Sequence, residues 1–214
     1  MFGLVIMALT FIASALLYGS VPERMASHWD LDGQANGYVG KVFGLFLVPI
    51  IALVIFLFMV ALPGLDPLRR NYDAFINEYD VLCTGIAAFL CYLHALTLAY
   101  NIGYQFDLIR LLAPAFGVML FGLGMIMKKV KRNWFVGIRT PWTISSDKVW
   151  DRTHAICGSM FMADGVVAFI GIVLPVIGLL LAIAIAVAIA VFGIIFSYLE
   201  YSKEQPPSIK KARA

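Results

Sequence analysis

The sequence predicts an all-α fold, a polytopic membrane bundle of about six transmembrane helices with both termini in the cytoplasm. Three observations carry that reading. Hydrophobic residues make up 62% of the 214 positions and charged residues 14%, against about 45–50% and about 25% in a soluble domain. Six stretches stay apolar over the roughly 20 residues that a helix needs to cross hydrocarbon. Lysine and arginine crowd into alternate loops. With a mean hydropathy of +0.89, there are too few charged side chains to coat a water-soluble globule. That excludes most soluble enzymes, disordered chains and nucleic-acid-binding domains.

The first span covers 2–19. It lacks the basic opening of a signal peptide and is long for its apolar core, so it reads as a retained helix. With the second span, 42–62, it makes a two-span unit, 1–62, around an outward loop at 20–41. In the segment 63–80, Asp66-Pro67 reads as an N-cap and a proline at the first helical position. Leu68, Tyr72, Phe75, Ile76 and Tyr79 then recur at helical spacing, which predicts an amphipathic helix lying on the inner leaflet. Spans three and four, 81–100 and 109–127, form a middle unit, 81–127. Spans five and six, 155–174 and 176–198, are separated by a turn at Pro175 and make a tight hairpin. They belong to a C-terminal unit, 128–199, followed by a tail, 200–214. On the last span Gly178, Ala182, Ala186 and Ala190 are spaced by four, which suits close helix packing within the bundle or between two copies.

Charge sets the orientation. Two basic residues in the second loop, seven in the fourth and four in the tail make 13 of the chain's 16. Six spans put these segments on one side with the N-terminus, and the positive-inside rule makes that side cytoplasmic. The net charge of +3 then follows from topology, with no direct nucleic-acid partner implied; the partner that composition demands is the lipid bilayer. Three cysteines, Cys83, Cys91 and Cys157, lie in apolar stretches and read as packing residues.

Two loops carry most of the information. The first, centred on His28, Trp29, Asp30, Asp32 and Gly33, combines aromatics and charges with Asp-Gly and Asn-Gly turn formers. It reads either as an ordered cap over the bundle or as an outward recognition surface. Asp30-x-Asp32-Gly33 touches on a calcium loop but lacks the remaining ligands and the terminal Glu. The fourth loop holds three of the four tryptophans among its basic residues. It reads as an inner-leaflet anchor or as a docking platform for a cytoplasmic partner, with Asn133, Gly137, Arg139, Thr140, Pro141, Trp142 and Trp150 as candidates. Ser145-x-x-Lys148 matches a nucleophile motif, but its companions are absent and it faces the wrong side for cell-wall chemistry. Ser145 is better read as the cap of the fifth span.

Polar residues also fall inside the spans. Asp164 lies near the middle of the fifth, where a lone carboxylate is costly. Trp150, His154, Cys157, Phe161, Asp164 and Ala168 share one face, and His94, Thr97 and Asn101 share an arc of the third span. Their meeting would form an intramembrane polar seam of His94, Asn101, His154 and Asp164, either a structural network or a proton path. His154 and Cys157 are too weak a pattern for a metal, and no cofactor motif occurs.

The two loops resemble the SdpI-like immunity protein family. Pro22, His28, Asp30, Gly33 and Lys41 match its N-terminal domain of unknown function. Asn133, the run Gly137-Ile138-Arg139-Thr140-Pro141-Trp142-Thr143, Ser146, Trp150 and Thr153-His154 match its C-terminal signature. The resemblance implies a bacterial or archaeal, non-enzymatic membrane protein. It implies resistance to a secreted antimicrobial peptide toxin and capture of a cytoplasmic transcriptional repressor at the membrane. The competing reading is a proton-coupled transporter or exporter using Asp164, His94 and His154.

Overall fold

The computed structural model describes residues 2–204. Six helices are long and apolar enough to cross a membrane. The chain runs through α1 (Phe2–Leu16), α2 (Lys41–Leu65), α3 (Ile76–Asn101), α4 (Leu108–Met127), the short α5 (Pro141–Ser145), α6 (Asp147–Val167) and α7 (Pro175–Glu204). Their large side chains face outward along most of their length, as lipid-facing residues do, and small or polar side chains are drawn inward. Lys210, Lys211 and Arg213 of the basic tail lie outside the described residues.

The expected helical bundle gains one element. Between α1 and α2 the first loop forms an antiparallel hairpin of β1 (Arg24–Trp29) and β2 (Ala35–Gly40). Its turn is closed by Gly33 N–H donating to the Asp30 carbonyl and Asp30 N–H donating to the Gln34 carbonyl, at 3.1 and 3.0 Å. Gly33 has φ +76°, the left-handed position that such a turn reserves for glycine. An isolated two-stranded hairpin is marginal in water. Here it is seated on the bundle: Met25 is fully buried with Leu45 and Leu98, and Gly44 of α2 leaves room for its sulfur.

The interfacial amphipathic helix predicted for 63–80 does not form. Helix α2 runs on to Leu65, a short 3-10 helix covers Arg69–Ala74, and α3 begins at Ile76. The reason lies at Asp66, whose extended backbone (φ −78°, ψ 125°) is what a following proline imposes. Asp66 Oδ1 accepts from Leu68 N–H at 2.7 Å, so it shapes a turn rather than capping a helix. Tyr72, Phe75 and Tyr79 are not spread on a membrane surface. They are buried in one aromatic cluster, with ring centroids 4.8 and 5.2 Å apart.

Helices α4 and α6 make the most extensive contact. A Cβ on Gly124 would sit 2.4 Å from the Gly158 carbonyl oxygen, and one on Gly165 would sit 2.6 Å from that of Gly117. The glycines therefore let two backbones touch, the source of van der Waals attraction where lipid offers no hydrophobic drive. The stripe noted on α7 behaves in part likewise. Gly178 abuts the Gly171 backbone and Ala182 is buried, but Ala190 points outward.

Candidate functional site

The first candidate site is the hairpin between α1 and α2. Asp30 Oδ1 accepts from Asp32 N–H at 3.0 Å and Gln34 N–H at 2.8 Å, so its carboxylate holds the turn. His28 bonds across the strands through Nδ1 to Asn36 Oδ1. Trp29 is half-buried and packs edge-on against Tyr100 of α3 at 5.3 Å. His28 and Asp32 are exposed, joined at the tip and flank by Leu31 and Tyr38, which are 54% and 51% exposed. Neither Leu31 nor Tyr38 is among the candidates that the sequence offers. The alternation of exposure along β2 would have singled out Tyr38 once the hairpin was drawn.

The predicted polar seam does not assemble. Helix α3 packs mainly on α1, α2 and α4, and α6 mainly on α4 and α7, and no hydrogen bond among the described residues joins any two of the seam's four residues. Each polar residue has its own neighbourhood. His94 Nε2 shares a 2.8 Å hydrogen bond with Ser14 of α1, both fully buried. Asn101 serves the hairpin: its Oδ1 accepts from Ala26 N–H at 2.7 Å and its Nδ2 donates to the Ala26 carbonyl at 3.0 Å. It pairs with β1 as a third strand would. Asp164 is 1% exposed, and neither carboxylate oxygen has a hydrogen-bond partner among the described residues.

The second candidate site, in the loop between α4 and α6, is built around His154. Its Nε2 accepts from Ile138 N–H at 2.9 Å, so the proton sits on Nδ1, which donates to the Trp150 carbonyl at 2.8 Å. The imidazole stacks on Trp150 at 4.0 Å, and the indole N–H reaches the Val130 carbonyl at 2.8 Å. Gly137 passes over this pair with φ +114°; a Cβ there would lie 2.3 Å from His154 Nε2. Next, Thr140 and Thr143 form a reciprocal capping box with Pro141 in the first turn, which starts α5. Thr143 Oγ1 also donates to the Ile138 carbonyl at 2.8 Å, and Thr140 meets Ser197 of α7 at 3.0 Å. Because this box places Ser145 inside α5, the cap of α6 is Ser146, one residue beyond the position expected.

Upstream, Asn133 has no exposed surface. Its Oδ1 accepts from Phe135 and Val136 N–H at 2.9 and 2.6 Å, and its Nδ2 donates to the Lys131 and Val136 carbonyls. Asp66, absent from the sequence-level candidates, is the link to the preceding loop. Its Oδ2 accepts from Trp134 N–H at 2.9 Å and from the Tyr72 hydroxyl at 3.2 Å. Burial and this neighbouring carboxylate hold the Tyr72 hydroxyl well above the usual tyrosine range.

The docking candidates therefore divide. Asn133, Thr140 and Trp150 are buried and shape the loop; a partner meeting the folded protein would not touch them. Gly137 supplies a backbone conformation. Arg139 and Pro141 are exposed and Trp142 is half-exposed, stacked edge-on against Tyr198 at 5.1 Å. Arg139 donates to the Trp134 carbonyl at 2.8 Å, beside the Trp134 indole, which is 49% exposed. The open face of the loop is thus Trp134, Arg139, Pro141 and Trp142.

Comparison with known proteins follows this division of the chain. Residues 129–197, the inner loop with α5, α6 and most of α7, match the SdpI/YfhL protein family. Residues 5–53, which include most of α1, the hairpin and the start of α2, match a domain of unknown function, DUF1648. Immunity protein SdpI of Bacillus subtilis (strain 168) is 23% identical over 202 residues, covering 94% of this chain and 95% of that protein. No solved structure matches. With six helices long and apolar enough to cross a membrane, the chain is a multi-pass membrane protein, similar in its two modules to the SdpI/YfhL and DUF1648 families and, almost from end to end, to an immunity protein.

Proposed function

We propose that this protein confers resistance to a secreted antimicrobial peptide toxin, which it meets through the hairpin. The observation that carries this reading is the full-length similarity to an immunity protein. The hairpin supports it physically. His28, Leu31, Asp32 and Tyr38 leave an exposed mixed surface, while Met25, Trp29 and Asn101 hold its base on the bundle. Aromatic and charged groups on a rigid support suit protein contacts, because little entropy is lost on binding. With the hairpin outward, as the charge asymmetry places it, Trp134, Arg139, Pro141 and Trp142 face the cytoplasm. There they offer a surface for a soluble partner, for which a transcriptional repressor is our proposal. Toxin-dependent capture requires that toxin favour one arrangement of the bundle over another.

The test is expression in a toxin-sensitive host challenged with a panel of secreted peptides. His28→Ala, Asp32→Ala and Tyr38→Ala should abolish protection at unchanged membrane abundance. Arg139→Ala and Trp142→Ala should spare protection and weaken recruitment of the partner. Full protection by the hairpin variants would refute recognition through this surface. A second reading, proton-coupled transport, draws on the unpartnered Asp164 carboxylate; pH-driven flux in proteoliposomes without any peptide would favour it.

A further inference from the structure

We infer that the crevice between α3 and α4 is a binding site for one anionic phospholipid of the leaflet on the inner-loop side. The crevice has a volume of about 490 Å3 and is lined almost wholly by apolar groups, among them Phe89, Tyr92, Val118 and Met119. Gly85 and Gly122 lie on its opposite walls. Unlike the glycines of the α4–α6 contact, neither is required by packing, since a Cβ on either would meet nothing within 4 Å. Glycine inside a helix costs about 1 kcal/mol relative to alanine. What these two provide is open space.

Length and charge identify the occupant. From Val81 to Tyr92 the crevice follows α3 for about 17 Å at 1.5 Å per residue, close to the roughly 15 Å depth of one leaflet. Tyr92 closes the far end by donating its hydroxyl to the Leu111 carbonyl at 3.1 Å. At the near end the crevice runs into a second pocket through Val81 and Ile126, which line both. That pocket is lined by Asn77, Glu78, Lys128 and Lys129, at the level where α4 ends. Lys129 pairs with Glu78 at 2.9 Å. Lys128 is exposed and has no carboxylate partner among the described residues. A net positive, amide-bearing mouth above an apolar slot of leaflet depth matches a phosphate headgroup above an acyl chain. A zwitterionic headgroup would bring its own cation towards Lys128.

Native mass spectrometry of the purified full chain, titrated with phosphatidylglycerol or phosphatidylethanolamine of equal chain length, tests this. The wild type should hold one phospholipid and prefer phosphatidylglycerol, by about fivefold for each lysine engaged. Lys128→Gln should lose about fivefold of that preference. Gly85→Leu and Gly122→Leu should lose the bound lipid, and Gly85→Ala should keep it. Thermal midpoints in detergent report whether the leucine variants fold; if they do not, the Lys128→Gln result decides. Equal binding of the two lipids would overturn the proposal. So would lipid retained by folded leucine variants, or a dimer that excludes lipid from the crevice.

Discussion

At Gly137 a φ of +114° and the nearness of the His154 ring act together. Alanine there would be strained in its backbone and would displace the imidazole that accepts from Ile138. Gly137→Ala should therefore lower stability by about 1–3 kcal/mol, read as a lower thermal midpoint and a smaller folded fraction in the membrane. Asn133 is comparable. Truncation to alanine leaves the Phe135 and Val136 amides without their acceptor, at about 1–3 kcal/mol for each group left buried and unpaired. Arg139→Ala, by contrast, should leave the melting profile almost unchanged, because Arg139 is exposed. Comparing these two melts separates residues that shape the loop from residues that present it. Tyr72 adds a pH dependence. Its raised folded pKa means that its contribution to stability is complete below pH about 10, where the unfolded phenol keeps its proton. The contribution falls as pH rises beyond that value. Melts from pH 9 to 11 should decline more steeply for the wild type than for Tyr72→Phe.

Among the elements, the hairpin and the inner loop each depend on a polar residue contributed by a distant segment. Asn101 holds β1 from the end of α3, and Asp66 holds Trp134 from the end of α2. Asn101→Ala should release the hairpin without unfolding the bundle. Hydrogen exchange at Ala26 should then accelerate, with α3 remaining protected. A hairpin that exchanged no faster would show that Met25 and Trp29 alone seat it. The α4–α6 contact is of another kind, since no hydrogen bond crosses it among the described residues and close-packed glycines carry it. Gly124→Leu should separate the two backbones and reduce folded abundance severely, because the nearest obstructing atoms, the Gly158 carbonyl oxygen and the Met162 amide nitrogen, belong to the backbone and cannot swing aside.

For the molecule as a whole, the two-sidedness of the charge is the governing property. The native cysteines are all buried, so single introduced cysteines report topology cleanly. Asp32→Cys should react with an impermeant maleimide in intact cells, and Arg139→Cys only after permeabilisation. Labelling in the opposite order would invert the orientation and remove the proposed encounter with a secreted toxin. Asp164→Asn should be milder than Asp164→Ala in any assay of function, because the amide preserves shape and hydrogen-bonding capacity inside the bundle. Equal activity of both variants and the wild type at normal abundance would take Asp164 out of the mechanism.

Composition and apolar run lengths dictate six spans on this chain, because crossing hydrocarbon demands about 20 apolar residues whatever their neighbours. Gly137 and the Thr-Pro-Trp-Thr run stood out in the sequence as docking candidates, whereas their action on the backbone, a left-handed glycine and a capping box, was seen only in the structure. The turn at Asp30–Gly33 was legible too, though not the strand pairing that it closes. Helix neighbours were not legible. His94 and Asp164 each carry a polar group at a buried level, but whether two such faces meet depends on which helix stands between them, and periodicity is silent on that. The same limit hid Asp66. A carboxylate before a proline looks local until folding brings the Trp134 amide, 68 positions away, within 2.9 Å. Local backbone chemistry is written in consecutive residues, whereas partners across a bundle are chosen by the packing of all six helices at once.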